Sequence, residues 1–111
     1  MTSASDMMGD RLRPLLSRQR GLVEKKMFGG IGFMLNGNML IGTTAKGHLL
    51  VRVDPAKQAE ALQRPGAYEM HMGPRPMSGF VAVDEEGTSD DAALENWIAY
   101  AGKYVKTLPP K

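Results

Sequence analysis

The sequence predicts a two-layer α+β domain, an antiparallel sheet with its helices on one face, in the order α-β-β-β-α-β-β-α. Three observations carry that prediction. Leu94, Trp97, Ile98, Ala101, Val105 and Leu108 recur at helical spacing near the C-terminus. Asn36-Gly37 lies between two apolar runs, the strongest short hairpin signal, because both central residues of the turn take positive φ. Pro and Gly then divide the remaining chain into short segments. At 111 residues, a single domain spanning 1–111 is expected.

The first helix is expected from about Ser5 to Arg20, with Met8, Leu12, Leu15 and Leu16 on one side. Pro14 predicts a kink, since it removes a backbone hydrogen bond and crowds the preceding turn. Gly21 ends the helix. From Leu22 to Val53 the pattern changes to strands. A two-residue loop at Asn36-Gly37 pairs Leu35 with Asn38, Met34 with Met39 and Phe33 with Leu40. Ala45-Lys46-Gly47 suits a three-residue loop with Gly47 in the left-handed region, which sets Ile41 opposite Val51. At least three strands result.

Asp54-Pro55 opens a short second helix, with Asp54 as cap and proline at the first helical position. Its expected core contacts are Ala59 and Leu62, and Pro65-Gly66 terminates it. A strand around Tyr68–Met72, a turn at Gly73-Pro74-Arg75-Pro76 and a strand at Phe80–Val83 follow. For the last helix Thr88 and Ser89 are candidate N-caps. Asp90 and Asp91 stand at the positive end of the helix dipole, and Pro109-Pro110 stops the helix.

The predicted register sorts the strand residues onto two faces. One holds Met34, Met39, Ile41, Leu49, Val51 and Val53; the uncharged face is expected to be internal. The other holds Ile31, Phe33, Leu35, Leu40 and Leu50, with His48 and Arg52 among them. An exposed patch of that size predicts a homodimer through it.

Composition bounds the function. Hydrophobic residues at 42% and charged residues at 23% describe a folded chain rather than a disordered one. The absence of Cys removes disulfides, Cys-ligated metals and thiol nucleophiles. A polar N-terminus and no run near the roughly 20 apolar residues of a membrane span predict cytoplasmic residence and no membrane partner. A net charge of +2 does not argue for nucleic acid. Basic residues crowd the first quarter while Asp84–Glu95 is acidic, a segregation read as two solvated faces, with nucleic acid as the less favoured partner.

No motif completes a catalytic or metal-binding set. Gly29-Gly30-Ile31-Gly32 precedes a strand, not the helix that a phosphate loop needs, so it reads as a bulge or a place where something packs on bare backbone. Met70-His71-Met72 with Met77 offers soft ligands of the kind Cu(I) takes, yet no second ligand cluster is visible in the sequence. Neither His48 nor His71 has an acid or hydroxyl at triad spacing. Arg75, held between two prolines, is the best candidate for binding an anionic partner, with Lys25 and Lys26 as possible additions. The competing reading pairs Arg75 with an acid of the same domain or has it cap a helix end.

Several segments together resemble the N-terminal domain of the TfoX/Sxy family of bacterial competence regulators. They are Lys25-Lys26-Met27-Phe28-Gly29-Gly30-Ile31-Gly32-Phe33, Asn36-Gly37-Asn38-Met39, Leu49-Leu50-Val51-Arg52-Val53 and Met72-Gly73-Pro74-Arg75-Pro76-Met77-Ser78-Gly79-Phe80. Trp97-Ile98 through Leu108-Pro109-Pro110-Lys111 adds to the likeness. The resemblance implies a two-layer α+β fold, a regulatory association and no agreed catalytic residues. The larger regulators add a C-terminal helical domain that this sequence does not include. The resulting expectation is a stand-alone, non-enzymatic regulatory or protein-interaction domain with no cofactor and no metal. The alternative is an anion-, small-molecule- or nucleic-acid-binding domain centred on Arg75, Lys25 and Lys26.

Overall fold

Capping and turn chemistry set the element boundaries, seen here in a computed structural model that describes residues 3–27 and 29–111, the Met72 side chain excepted. Helix α1 spans Ala4–Leu16, and the Ser3 hydroxyl accepts from the Asp6 N–H at its start. Pro14 sits in its last turn. The predicted run to Arg20 is corrected: the helix ends at Leu16, two residues past the proline, where the Ser17 N–H turns back to the Pro14 carbonyl.

Strands β1 (Leu22–Met27), β2 (Gly30–Leu35), β3 (Asn38–Thr43) and β4 (Leu49–Arg52) follow. The predicted minimum of three strands becomes four, since β1 pairs with β2 along its length. Asp54 caps a 3-10 turn at Pro55–Lys57 that leads into the short α2, Gln58–Ala61. Ala61 and Leu62, not Ala59, meet the core. Strands β5 (Ala67–Met72) and β6 (Arg75–Val83) form the second hairpin, and α3 runs Asp91–Val105. Asp90, rather than Thr88 or Ser89, caps α3: its carboxylate accepts from the Ala93 N–H at 2.8 Å. Thr88 is buried and donates its hydroxyl proton to the Asp84 carbonyl.

The sheet order is β1-β2-β3-β4-β6-β5, with every pairing antiparallel. This α+β architecture is the predicted class, with one additional strand. Residues from all three helices join the sheet in one core that includes Leu12, Leu49, Val51, Val81, Ala61 and Leu94. Each large aliphatic side chain removed from water there contributes about 1.5–3 kcal/mol of transfer free energy.

The Asn36-Gly37 turn has positive φ at both residues, 53° and 85°, as the hairpin signal requires. Leu35 faces Asn38 and Met34 faces Met39, as predicted. Then the ladder slips. Phe33 faces Ile41 instead of Leu40, which is left as the extra residue of a β-bulge. Beyond it, Ile41 faces Val51 in the predicted register.

That one residue redistributes the faces. Ile31, Phe33 and Leu35 lie in the helix-covered core together with Ile41, Val51 and Val53. Leu40 joins them, because a bulge lets two successive side chains project to the same side. The face predicted to lie opposite the helices is therefore corrected: four of its five apolar residues are internal. Only Leu50, between core residues Leu49 and Val51, points the other way.

Candidate binding cleft on the open sheet face

The helices cover one side of the sheet, and strand alternation assigns the residues of the other. Met27 and Lys25 on β1, Met34 on β2, Met39 on β3, Leu50 on β4, Ala82 on β6 and Tyr68 on β5 fall opposite or between core positions. Two glycines make room on this face. Gly32 and Gly42 are cross-strand partners. A Cβ on Gly32 would lie 3.0 Å from the Met27 sulfur, and one on Gly42 would lie 2.7 Å from the Met39 methyl. Each methionine thus lies on bare backbone, and the two thioethers are neighbours over the glycine pair. The packing on bare backbone predicted at the Gly29–Gly32 run is found at Gly32; Phe28, inside the run's flank, lies outside the described residues.

Met27 and Met39 form one wall of a cleft of about 320 Å³. Met70 and Met77 come in from the β5–β6 hairpin, Leu50 and Thr43 line the sheet side, and Lys46 comes from the β3–β4 turn. A register shift between Glu69 and His71 offsets the outer part of the hairpin, facing the stretch of β6 that holds the left-handed Gly79. These irregularities bring Met70 and Met77 to the cleft. Its walls are mostly aliphatic and thioether atoms, which adapt their shape to what they touch. Glu69 and His71 line it as a pair, 3.3 Å apart.

At one end stands a polar chain. The Tyr68 hydroxyl is 2.6 Å from His48 Nδ1, and His48 Nε2 is 3.3 Å from Glu85 Oε1. With the proton on Nε2, Tyr68 donates to the ring and the ring donates to the carboxylate. The rings of His48 and Tyr68 meet edge to face. Burial raises the Tyr68 pKa above the ordinary value, and the carboxylates of Asp84 and Glu85 raise it further. Glu85 is held lower than usual, chiefly by its own backbone N–H and then by His48. Tyr68 is thus kept as a phenol that donates, not a phenolate that accepts.

The three basic candidates do not gather. Lys25 and Lys26 are successive strand residues and so project to opposite faces, Lys25 with Met27 and Lys26 toward Ser3, Ser5 and Asp6 at the start of α1. The predicted four-residue turn is only Gly73-Pro74, so Arg75 and Pro76 begin β6 and Arg75 pairs with Met72. Arg75 is exposed, and among the described residues no ion pair holds it. Ile31, Phe33, Leu35 and Leu40, named for the homodimer patch, are core residues, and Leu50 lines the cleft. Of the soft-ligand run, Met70, His71 and Met77 reach the cleft, while the Met72 side chain lies outside the described residues. Among the described residues, no three His, Asp or Glu side chains are placed to hold a metal ion. None of the described helices is long and apolar enough to cross a membrane.

A family model described as the TfoX N-terminal domain matches residues 14–103. The chain belongs to that family. The TfoX match begins in the last turn of α1, takes in all six strands, and ends near the close of α3. Every lining residue of the methionine cleft falls inside the span matched to the TfoX N-terminal domain. No curated protein and no solved structure gives a significant match.

Sequence reading missed the cleft because its residues are scattered from Met27 to Met77. The signal that could have found it was the glycine pair. Gly32 and Gly42 are small residues inside strands, at positions where a long side chain from a neighbouring segment can lie across the backbone.

Proposed function

We propose that this chain is a non-enzymatic regulatory domain of the competence-regulator type that acts by binding, with the methionine cleft as its binding surface. The observation carrying this reading is the adaptable apolar cleft on the sheet face that the helices leave open. The polar groups beside it are already engaged. The Thr43 hydroxyl accepts from the Ile31 N–H, the Thr44 hydroxyl accepts from the His48 N–H, and both His48 ring nitrogens have partners. Such groups fix the shape of the cleft end and are poorly placed to attack or deprotonate a substrate. Anion recognition by Arg75, Lys25 and Lys26 acting together is the weaker reading, because Lys26 faces the helix side.

Methionine methyl groups report directly on this proposal. Protein labelled with ¹³C at its Met methyls is mixed with separated protein and small-molecule fractions of a bacterial extract. An active fraction is expected to shift the methyls of Met27, Met39, Met70 and Met77 and to leave Met8, on the buried side of α1, unchanged. Shifts confined to Met7 and Met8, or none in any fraction, would overturn the cleft as the working surface.

A further inference from the structure

The size, wall chemistry and charge of the cleft specify its occupant more narrowly, on the premise that it is the binding surface. We infer that it holds a small aromatic acid, with the ring among the thioethers of Met27, Met39, Met70 and Met77 and the acid group facing Lys46.

Size comes first. A volume of about 320 Å³ lies at the small end of the range for small-molecule sites, roughly 300–1,000 Å³. It accommodates a ring system, whereas a docked helix about 10 Å across would need a long groove. Wall chemistry comes second. Four of the chain's nine methionines line this one cavity, brought together from β1, β3, β5 and β6. Thioether sulfur is polarizable and makes favourable contacts with aromatic rings, so this wall favours a flat ring over an alkyl chain of equal area.

Charge comes third. Lys46 stands at the exposed tip of the β3–β4 turn, lines the cleft, and among the described residues takes part in no ion pair. Lys25, on the same face beside Met27, adds positive charge along that side. The one carboxylate of the lining, Glu69, has His71 Nε2 3.3 Å away as its own partner. A mobile ammonium at the mouth of an apolar cleft is complementary to a single negative group at the end of an apolar body.

The test uses the full chain labelled at its Met methyls and two probes of equal shape, 2-naphthoate and the neutral naphthalene-2-carboxamide. Saturable shifts at the four cleft methyls are expected, with Met8 fixed and with the acid binding at least tenfold more tightly than the amide. Lys46→Glu, at an exposed turn position, is expected to abolish the preference for the acid while leaving thermal unfolding unchanged. Equal binding of acid and amide, or no saturable shift up to millimolar probe, overturns the inference. If 2-naphthoate is silent while a protein fraction still shifts the same four methyls, the small acid is refuted and the cleft survives as a binding surface. Silence with both removes the cleft itself.

Discussion

The two faces of the sheet are built from different kinds of side chain. Under the helices lie Ile41, Val51, Val53, Val81, Val83 and Phe33, which are branched or aromatic and hold few rotamers. On the open side lie Met27, Met34, Met39 and Leu50, joined by Met70 and Met77 from the hairpin. Of the described methionines, Met8 joins the cluster under the helices, while Met39 is buried on the other side of the sheet. Stiff residues stand under the helices, and flexible ones on the side of the sheet that the helices leave uncovered. This difference in side-chain stiffness supports the proposal that the open face binds a ligand.

The sharpest way to break this comparison is a charge on adjacent residues of β2. Phe33→Glu buries a carboxylate in the helix-covered core and should cost more than about 4 kcal/mol, abolishing cooperative unfolding. Met34→Glu, on the half-buried open side, should stay within about 1 kcal/mol of the parent. Denaturant titration followed by circular dichroism separates them. A larger loss at Met34 than at Phe33 would mean that the two faces are exchanged.

Leu49 and Leu50 offer the same contrast without charge. Leu49→Ala leaves an enclosed void and should cost about 2–5 kcal/mol. Leu50→Ala only widens an existing cleft, so the transfer loss of about 1–2 kcal/mol remains without a full cavity penalty. A Leu50 cost as large as that of Leu49 would show that the open face is sealed in solution.

Two tyrosines sharpen the comparison at a smaller scale. Tyr68, on the open face, bonds His48; Tyr100, packed edge-on against Trp97 beside Arg64, has a buried hydroxyl with no hydrogen-bond partner. Tyr68→Phe should cost about 1 kcal/mol, and Tyr100→Phe should lie between neutral and slightly stabilising. Thermal melts of the two variants decide the matter, and a larger loss at Tyr100 would reverse the assignment.

Both tyrosines have raised pKa values, with burial the leading cause in each. Their protonated forms are therefore favoured in the folded state. The stability this supplies is fully present below the unfolded tyrosine value of about 10 and falls as pH rises toward the folded values. Tyrosinate absorbance should accordingly appear for these two residues only above pH of about 10. Ionisation of Tyr68 below that point would contradict its role as a donor to His48.

Much of the fold was legible because its signals are local. The Asn36-Gly37 turn, the left-handed Gly47, the Asp54-Pro55 cap and the α3 stripe each depend on a few adjacent residues. The Ile41–Val51 register followed from its loop. Family membership was legible for the same reason, through short motifs spread along the chain. The boundaries that failed, at Pro14 and around Arg75, depended on how far neighbouring pairing could carry an element.

The sequence by itself thus determined the class of fold, the order of its elements apart from β1 as a strand of its own, and the family. Only the tertiary structure decided which face is inside and where the candidate site lies. The physical reason is the period of two along a strand: one unpaired residue at Leu40 moves Ile31, Phe33 and Leu35 from the expected outer face into the core. The cleft shares that dependence, for its four methionines lie up to fifty residues apart and become neighbours only through strand pairing and the two irregularities of the β5–β6 hairpin.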